Sequence, residues 1–176
     1  PCATRETAAP DATRPSARRG VAARRPTAVV EDTGLGAPRG IDRALFQKVI
    51  AGNGINRAEG LLVTGPTGVG KSWIACAIGH KACRDNRSVL YQRIPKLFGD
   101  LALARGDGRY ARIVRALGGV QLLILDDWGL EPLDAQARPD LLKMLEERYG
   151  RQSTIITNQL PGQSVPSCIV HPHLPP

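Results

Sequence analysis

The chain predicts an α/β fold, a parallel sheet with helices on both faces, on three observations. Short apolar strands alternate with helical stretches through residues 29–160, as in βαβ units. One stretch, Val120–Leu125, is strongly apolar, as a strand covered on both faces should be. A glycine-rich turn, Gly65–Ser72, joins a strand to a helix.

Taken in order, a helix is expected at Asp42–Ile50, where Leu45, Phe46 and Val49 share one face. Leu61–Thr64 reads as a strand, and Trp73 to about Arg84 as the helix after the turn. Ser88–Gln92 reads as the second strand, with a helix near Lys96–Ala104 behind it. The run Arg105-Gly106-Asp107-Gly108 breaks that helix, and Arg109–Leu117 forms another. Val120–Leu125 follows as a strand. Ala135–Tyr149 is an amphipathic helix with Leu141, Leu142 and Leu145 inward, and Pro139 falls near its first turn, where proline is tolerated. Ser153–Thr157 is the last strand expected.

Both ends differ from this middle. Residues 1–28 contain no Leu, Ile, Phe, Tyr or Trp, and in residues 161–176 five of sixteen are Pro. Neither can bury enough apolar surface to offset ordering entropy. The expected organisation is a disordered leader (1–28), one folded domain (29–160) and an unstructured tail (161–176).

The net charge of +8 favours a polyanionic partner such as DNA. Half of it sits in the leader, whose six arginines face only Glu6 and Asp11. Cys76 and Cys83 lie seven residues apart on one expected helix, about 10 Å at the helical rise and too far for a disulfide. No C-x-x-C pair exists, and His80, His171 and His173 are not spaced with the cysteines as a zinc site requires. Reduced thiols, no signal-peptide core and no run long enough to span a bilayer point to a cytoplasmic protein.

Gly65, Pro66, Thr67, Gly68, Val69, Gly70, Lys71 and Ser72 match G-x-x-x-x-G-K-[ST]. Glycines let the backbone curl until several N–H groups converge on a phosphate. Lys71 adds a point charge for the β- and γ-phosphates, and the Ser72 hydroxyl is a Mg2+ ligand. The helix that follows presents its positive end to the same anion. Leu122-Leu123-Ile124-Leu125-Asp126-Asp127 supplies the other half, an apolar strand ending in two carboxylates. Asp126 would hold Mg2+, and Asp127 would orient or deprotonate the attacking water. At the end of the next strand stand Thr157 and Asn158. Asn158, which can both donate and accept, is the expected γ-phosphate sensor.

With these positions in place, the chain resembles the IstB-like ATP-binding proteins, helper ATPases of insertion-sequence transposition within the DnaC-like part of the AAA+ superfamily. The resemblance rests on Ala37-Pro38-Arg39-Gly40-Ile41-Asp42-Arg43, Gly65–Ser72 and Gly79-His80-Lys81-Ala82-Cys83. It continues through Leu122–Asp127 with Trp128-Gly129-Leu130-Glu131-Pro132, then Glu146-Glu147-Arg148-Tyr149-Gly150-Arg151 and Ser153–Pro161. It covers residues 29–161.

The resemblance implies an AAA+-like P-loop NTPase, ATP and Mg2+ as cofactors, and homo-oligomers that bind DNA and act on a transposase or a replicative helicase. It maps Lys71 and Ser72 to the phosphate lysine and metal hydroxyl, Asp126 to the metal carboxylate, Asp127 to the second acid and Asn158 to the sensor. Family members carry a further strand and a downstream arginine that reaches a neighbouring subunit's nucleotide. Here the last arginine is Arg151. The sheet is therefore expected to be incomplete at its carboxyl end, and efficient hydrolysis is not expected, because such an arginine is worth orders of magnitude in rate. Four functions compete. The first is an ATP-binding accessory protein for transposition; the others are a helicase loader, a remnant without turnover and a nucleotide kinase. The tandem aspartates and the absence of an Arg-rich lid argue against the kinase.

Overall fold

The computed structural model describes residues 47–49, 51–128, 135–159 and 169–171. Residues 47–49 are helical; the rest of the helix expected at Asp42–Ile50, with Leu45 and Phe46, lies outside the described residues. A short helix α1 (Asn53–Asn56) precedes β1 (Gly60–Thr64), which leads through the glycine loop into α2 (Lys71–Arg84). Then come β2 (Val89–Arg93), α3 (Ile94–Gly106), α4 (Tyr110–Gly119) and β3 (Leu122–Trp128). Helix α5 (Ala137–Arg148), β4 (Ser153–Asn158) and a three-residue β5 (Ile169–His171) complete the described elements.

The strands form one sheet in the order β2-β3-β4-β1-β5. The first four are mutually parallel, so each connection must cross back over a face. Side chains alternate accordingly. Leu122 and Ile124 of β3, Val89 and Tyr91 of β2, Val63 of β1 and Ile155 of β4 join Ile74 and Ile78 of α2 in one apolar layer. Leu123, Leu125 and Ile156 point the other way and pack with Leu97, Leu101, Leu117, Leu141 and Met144 of α3, α4 and α5. Period-two alternation between two covered faces is why β3 is buried from Leu122 through Asp126.

Two expectations are corrected. Leu142 is 60% exposed, whereas Leu141 and Met144 are buried. The inward stripe of α5 runs Ala137, Leu141, Met144, Arg148, the i, i+4, i+7, i+11 spacing of one helical face, and Leu142 falls 100° away from it. Leu141→Ala is therefore expected to cost about 2–3 kcal/mol and Leu142→Ala less than about 0.5, read from urea unfolding midpoints. The second correction concerns the tail. Ile169–His171 is a strand, antiparallel to β1 from Thr64↔Ile169 to Leu62↔His171. Ten residues separate Asn158 from Ile169, too few for a parallel crossover, so the chain pairs with β1 from the end at which it arrives. The outer edge of β1 is thus paired over these residues.

Two polar clusters fasten the helices. Arg105 donates from Nη2 to both Asp140 oxygens at 2.6 Å and stacks 4.8 Å over the Tyr110 ring, while the Tyr110 hydroxyl donates to Asp140 Oδ1 at 2.6 Å. This joins α3, α4 and α5. Arg148 is fully buried at the end of α5. Its Nη1 donates to Leu117 O at 2.6 Å and Val120 O at 2.9 Å, its Nε to Thr154 Oγ1 at 2.9 Å, and its Nη2 to Ser153 O. The guanidinium thus takes up carbonyls where α4 ends and β4 begins. Carbonyls at a helix carboxyl end carry partial negative charge, which suits a cation. Burial pushes the Arg148 guanidinium down to about 10, still charged at neutral pH.

Candidate nucleotide-binding site

The loop after β1 takes the conformation its glycines permit. Gly68 and Gly70 have φ of 87° and 93°, a region that costs a residue with a Cβ about 1 kcal/mol or more. Gly70 is the N-cap of α2, and no side chain caps that end among the described residues. The first-turn N–H groups of a fourteen-residue helix are thus directed at the loop, as an anion site needs. Lys71 is buried, and its Nζ donates to Gly65 O at 2.8 Å and Pro66 O at 2.7 Å, inside the curl. At the tip, Thr67 Oγ1 donates to Gln159 Oε1 at 2.7 Å, which ties the loop to the end of β4.

Strand order brings the second motif to this loop. Because β4 lies between β1 and β3, the loop and the aspartates flank the carboxyl end of β4. Asp126 follows Leu122 and Ile124 on the face covered by α2, and it meets there the residues that continue the same layer. Ser72 Oγ donates to Asp126 Oδ1 at 2.9 Å, Thr157 Oγ1 donates to the same oxygen, and the Tyr91 hydroxyl donates to Oδ2. Asp126 is 2% exposed, and desolvating a carboxylate is costly unless its lone pairs are filled. Three hydroxyls from three elements fill them. Burial, then the bond to Asp126, pushes the Tyr91 phenol well above its ordinary value, so it remains a donor.

Asp127 is placed by a bulge. Between the pairs Leu125↔Ile156 and Trp128↔Asn158, β3 has two residues where β4 has only Thr157. Asp127 takes φ of 63° there, rare for a residue with a side chain, and its N–H donates to Thr157 Oγ1 at 3.1 Å. Without the bulge, consecutive aspartates would point to opposite faces. With it, Asp127 receives Arg93 Nε at 2.6 Å and a second bond from the same guanidinium. Arg93 lies two residues from Tyr91 on β2, so alternate residues of one strand hold the two consecutive carboxylates. The nearby Asp127 holds the Arg93 guanidinium above its ordinary value.

Ser72 and Asp126 are thus brought into contact, Lys71 precedes Ser72 with its Nζ inside the loop, and Asp127 follows Asp126. Asn158 differs. The hydroxyl bonded to Asp126 belongs to its neighbour Thr157, and Asn158 pairs in register with Thr64 and Trp128. Among the described residues one buried side-chain polar atom has no hydrogen-bond partner, and it is Asn158 Oδ1. No motif marks Tyr91 or Arg93, although the parity of Val89, Tyr91 and Arg93 on β2 is readable. A cavity of about 480 Å³ lies at the opposite, amino-terminal edge of the sheet, lined by Gly60, Leu61, Leu122 and Ser153, and is separate from this site.

The sequence matches the model of the IstB-like ATP binding protein family over residues 3–172. The chain belongs to that family. The match extends beyond the 29–161 of the motif resemblance, so it takes in most of the leader and tail that the motifs left out. Among curated relatives, a protein of Sinorhizobium fredii named as an insertion sequence ATP-binding protein, y4pL, is 69% identical over 134 residues, 76% of this chain and 55% of its own length. The insertion sequence IS1162 ATP-binding protein of Pseudomonas fluorescens is 46% identical over 138 residues, 78% of this chain and 60% of its own. This family member spans little more than half the length of these relatives. In fold it is similar to the DnaC helicase loader, with a TM-score of 0.63 at 22% identity over 69% of this chain and 70% of that one. DnaI gives a TM-score of 0.64 at 23% identity, covering 75% of this chain and 72% of the other. These likenesses show the fold alone, an α/β sheet with helices on both faces and a glycine-rich phosphate-type loop after its first strand. No helix among the described residues is long and apolar enough to cross a membrane.

Proposed function

We propose that this chain binds ATP with Mg2+ at Gly65–Ser72 and serves as an ATP-dependent accessory protein in DNA transposition, acting with a transposase on DNA. One observation carries the nucleotide reading: the loop hydroxyl of Ser72 lies 2.9 Å from Asp126 Oδ1. Two hard oxygens from separate motifs thus meet beside a helix N-terminus, a donor set suited to a small hard cation. The orphaned Asn158 Oδ1 supports the fit, since a buried acceptor without a donor is costly unless a ligand serves it. The transposition role rests on family membership and on the names of the insertion-sequence relatives.

In this reading the loop N–H groups and α2 bind the phosphates, and Lys71 exchanges two neutral carbonyls for charged phosphate oxygens, which are stronger acceptors. Ser72 and Asp126 would hold Mg2+, which when bound neutralises charge on the transferring phosphate. Asp127 orients the attacking water and accepts its proton, and Arg93 sets where that carboxylate stands. Asn158 reads the terminal phosphate. Homo-oligomerisation belongs to the same reading and rests on family membership alone.

Equilibrium binding of a fluorescent ATP analogue with and without Mg2+, then phosphate release with and without DNA, tests this. Mg2+-dependent binding is expected, with release stimulated by DNA. Asp127→Asn should leave binding within about twofold and lower release by about 10²–10⁴. Equal loss of binding would remove Asp127 from the chemical role. Absence of nucleotide binding by the unaltered chain would overturn the reading altogether.

A further inference from the structure

We propose that Tyr91 is a positioning residue for the metal side of this site, holding Asp126 Oδ2 so that Oδ1 stays turned to Ser72. The inference rests on the nucleotide reading above and goes beyond its motifs.

A carboxylate held at one oxygen can still swing about its Cβ–Cγ bond. Held at both, it is fixed in plane and direction. Asp126 Oδ1 takes the hydroxyls of Ser72 and Thr157, and Tyr91 supplies the bond on Oδ2. If Ser72 turns its oxygen to a cation, Oδ1 loses one donor, and Tyr91 and Thr157 remain to hold the group. Tyr91 suits the task mechanically. It stands opposite Ile124 on the neighbouring strand, two residues before Asp126 on the same face. Its ring is packed in the apolar layer between the sheet and α2, beside Ile124. The hydroxyl is therefore carried on a rigid stem anchored in the core, not on a mobile surface chain. Hydrogen-bond partners behind a metal ligand affect metal affinity about 10–100-fold.

Tyr91→Phe removes the hydroxyl that donates to Asp126 Oδ2 and keeps the ring. The test titrates Mg2+ into the full chain with a fluorescent, non-hydrolysable ATP analogue and records the Mg2+ midpoint. It is accompanied by nucleotide affinity in EDTA and by the melting temperature. Tyr91→Phe is expected to raise the midpoint about tenfold while affinity in EDTA stays within twofold. Asp126→Asn should raise it at least as far, and the Asp126→Asn/Tyr91→Phe double variant no further, because the tyrosine acts through the aspartate. A lower melting temperature with an unmoved midpoint makes the phenol a packing group and overturns the proposal. Additive losses in the double variant overturn it as well. If the unaltered chain binds the analogue without any response to Mg2+, it is the metal reading of Ser72 and Asp126 that fails.

Discussion

Lys71→Ala is expected to weaken nucleotide binding by at least about 100-fold, the loss of roughly 3 kcal/mol that accompanies removal of a charged hydrogen-bond donor from a phosphate. The buried Nζ lies within the loop, in contact with Gly65 O and Pro66 O, so no other side chain can take its place without moving the backbone. The same contacts give the lysine a structural share, and truncation leaves two carbonyls short of a donor. Melting temperature separates the two effects. A variant that keeps its fold and loses binding supports the phosphate role, whereas retained affinity would take the site away from Gly65–Ser72. Lys71→Arg is expected to restore the charge but little of the affinity, since a planar fork does not fit a curl built for a single ammonium. Isothermal titration calorimetry at fixed Mg2+ reads all three chains.

Arg148→Ala should destabilise the domain by about 3–5 kcal/mol, a large part of the 5–15 typical of domains. The guanidinium is one hub serving the carbonyls of Leu117, Val120 and Ser153 and the Thr154 hydroxyl. Its loss strands several buried acceptors at once and opens a cavity the size of the side chain. Arg148→Lys keeps the charge but cannot reach all four acceptors from one ammonium, so it should recover less than half of the loss. Urea unfolding followed by circular dichroism checks both. A cost below about 1 kcal/mol for alanine would mean that water replaces the guanidinium at this junction.

Legibility followed the range of the interaction. The glycine loop could be read because its requirements are local: a left-handed φ at Gly68 and Gly70 and the adjacent Lys71-Ser72. Strands β1 to β4 could be read because apolar alternation is written in consecutive residues. Leu142 misled because three leucines close together in α5 look like one stripe, and only the helical angle separates them. Arg148 was invisible as a core residue because composition places arginine outside, and nothing nearby reveals the distant carbonyls that fill its donors. Ile169-Val170 were obscured by surrounding prolines, although both are β-branched and suited to a strand.

A glycine-rich phosphate-type loop, a pair of strand-end carboxylates and the α/β class that presents them are written in the order of the residues alone. Each depends on the conformational limits and periodicity of neighbouring residues. Folding in three dimensions sets the rest: Tyr91, Ser72 and Thr157 converge on Asp126, a bulge turns Asp127 towards Arg93, and β5 runs antiparallel to β1. Those outcomes join residues about 30 to 110 positions apart in the chain, and strand order and register, set by packing on both faces of the sheet, bring them within reach.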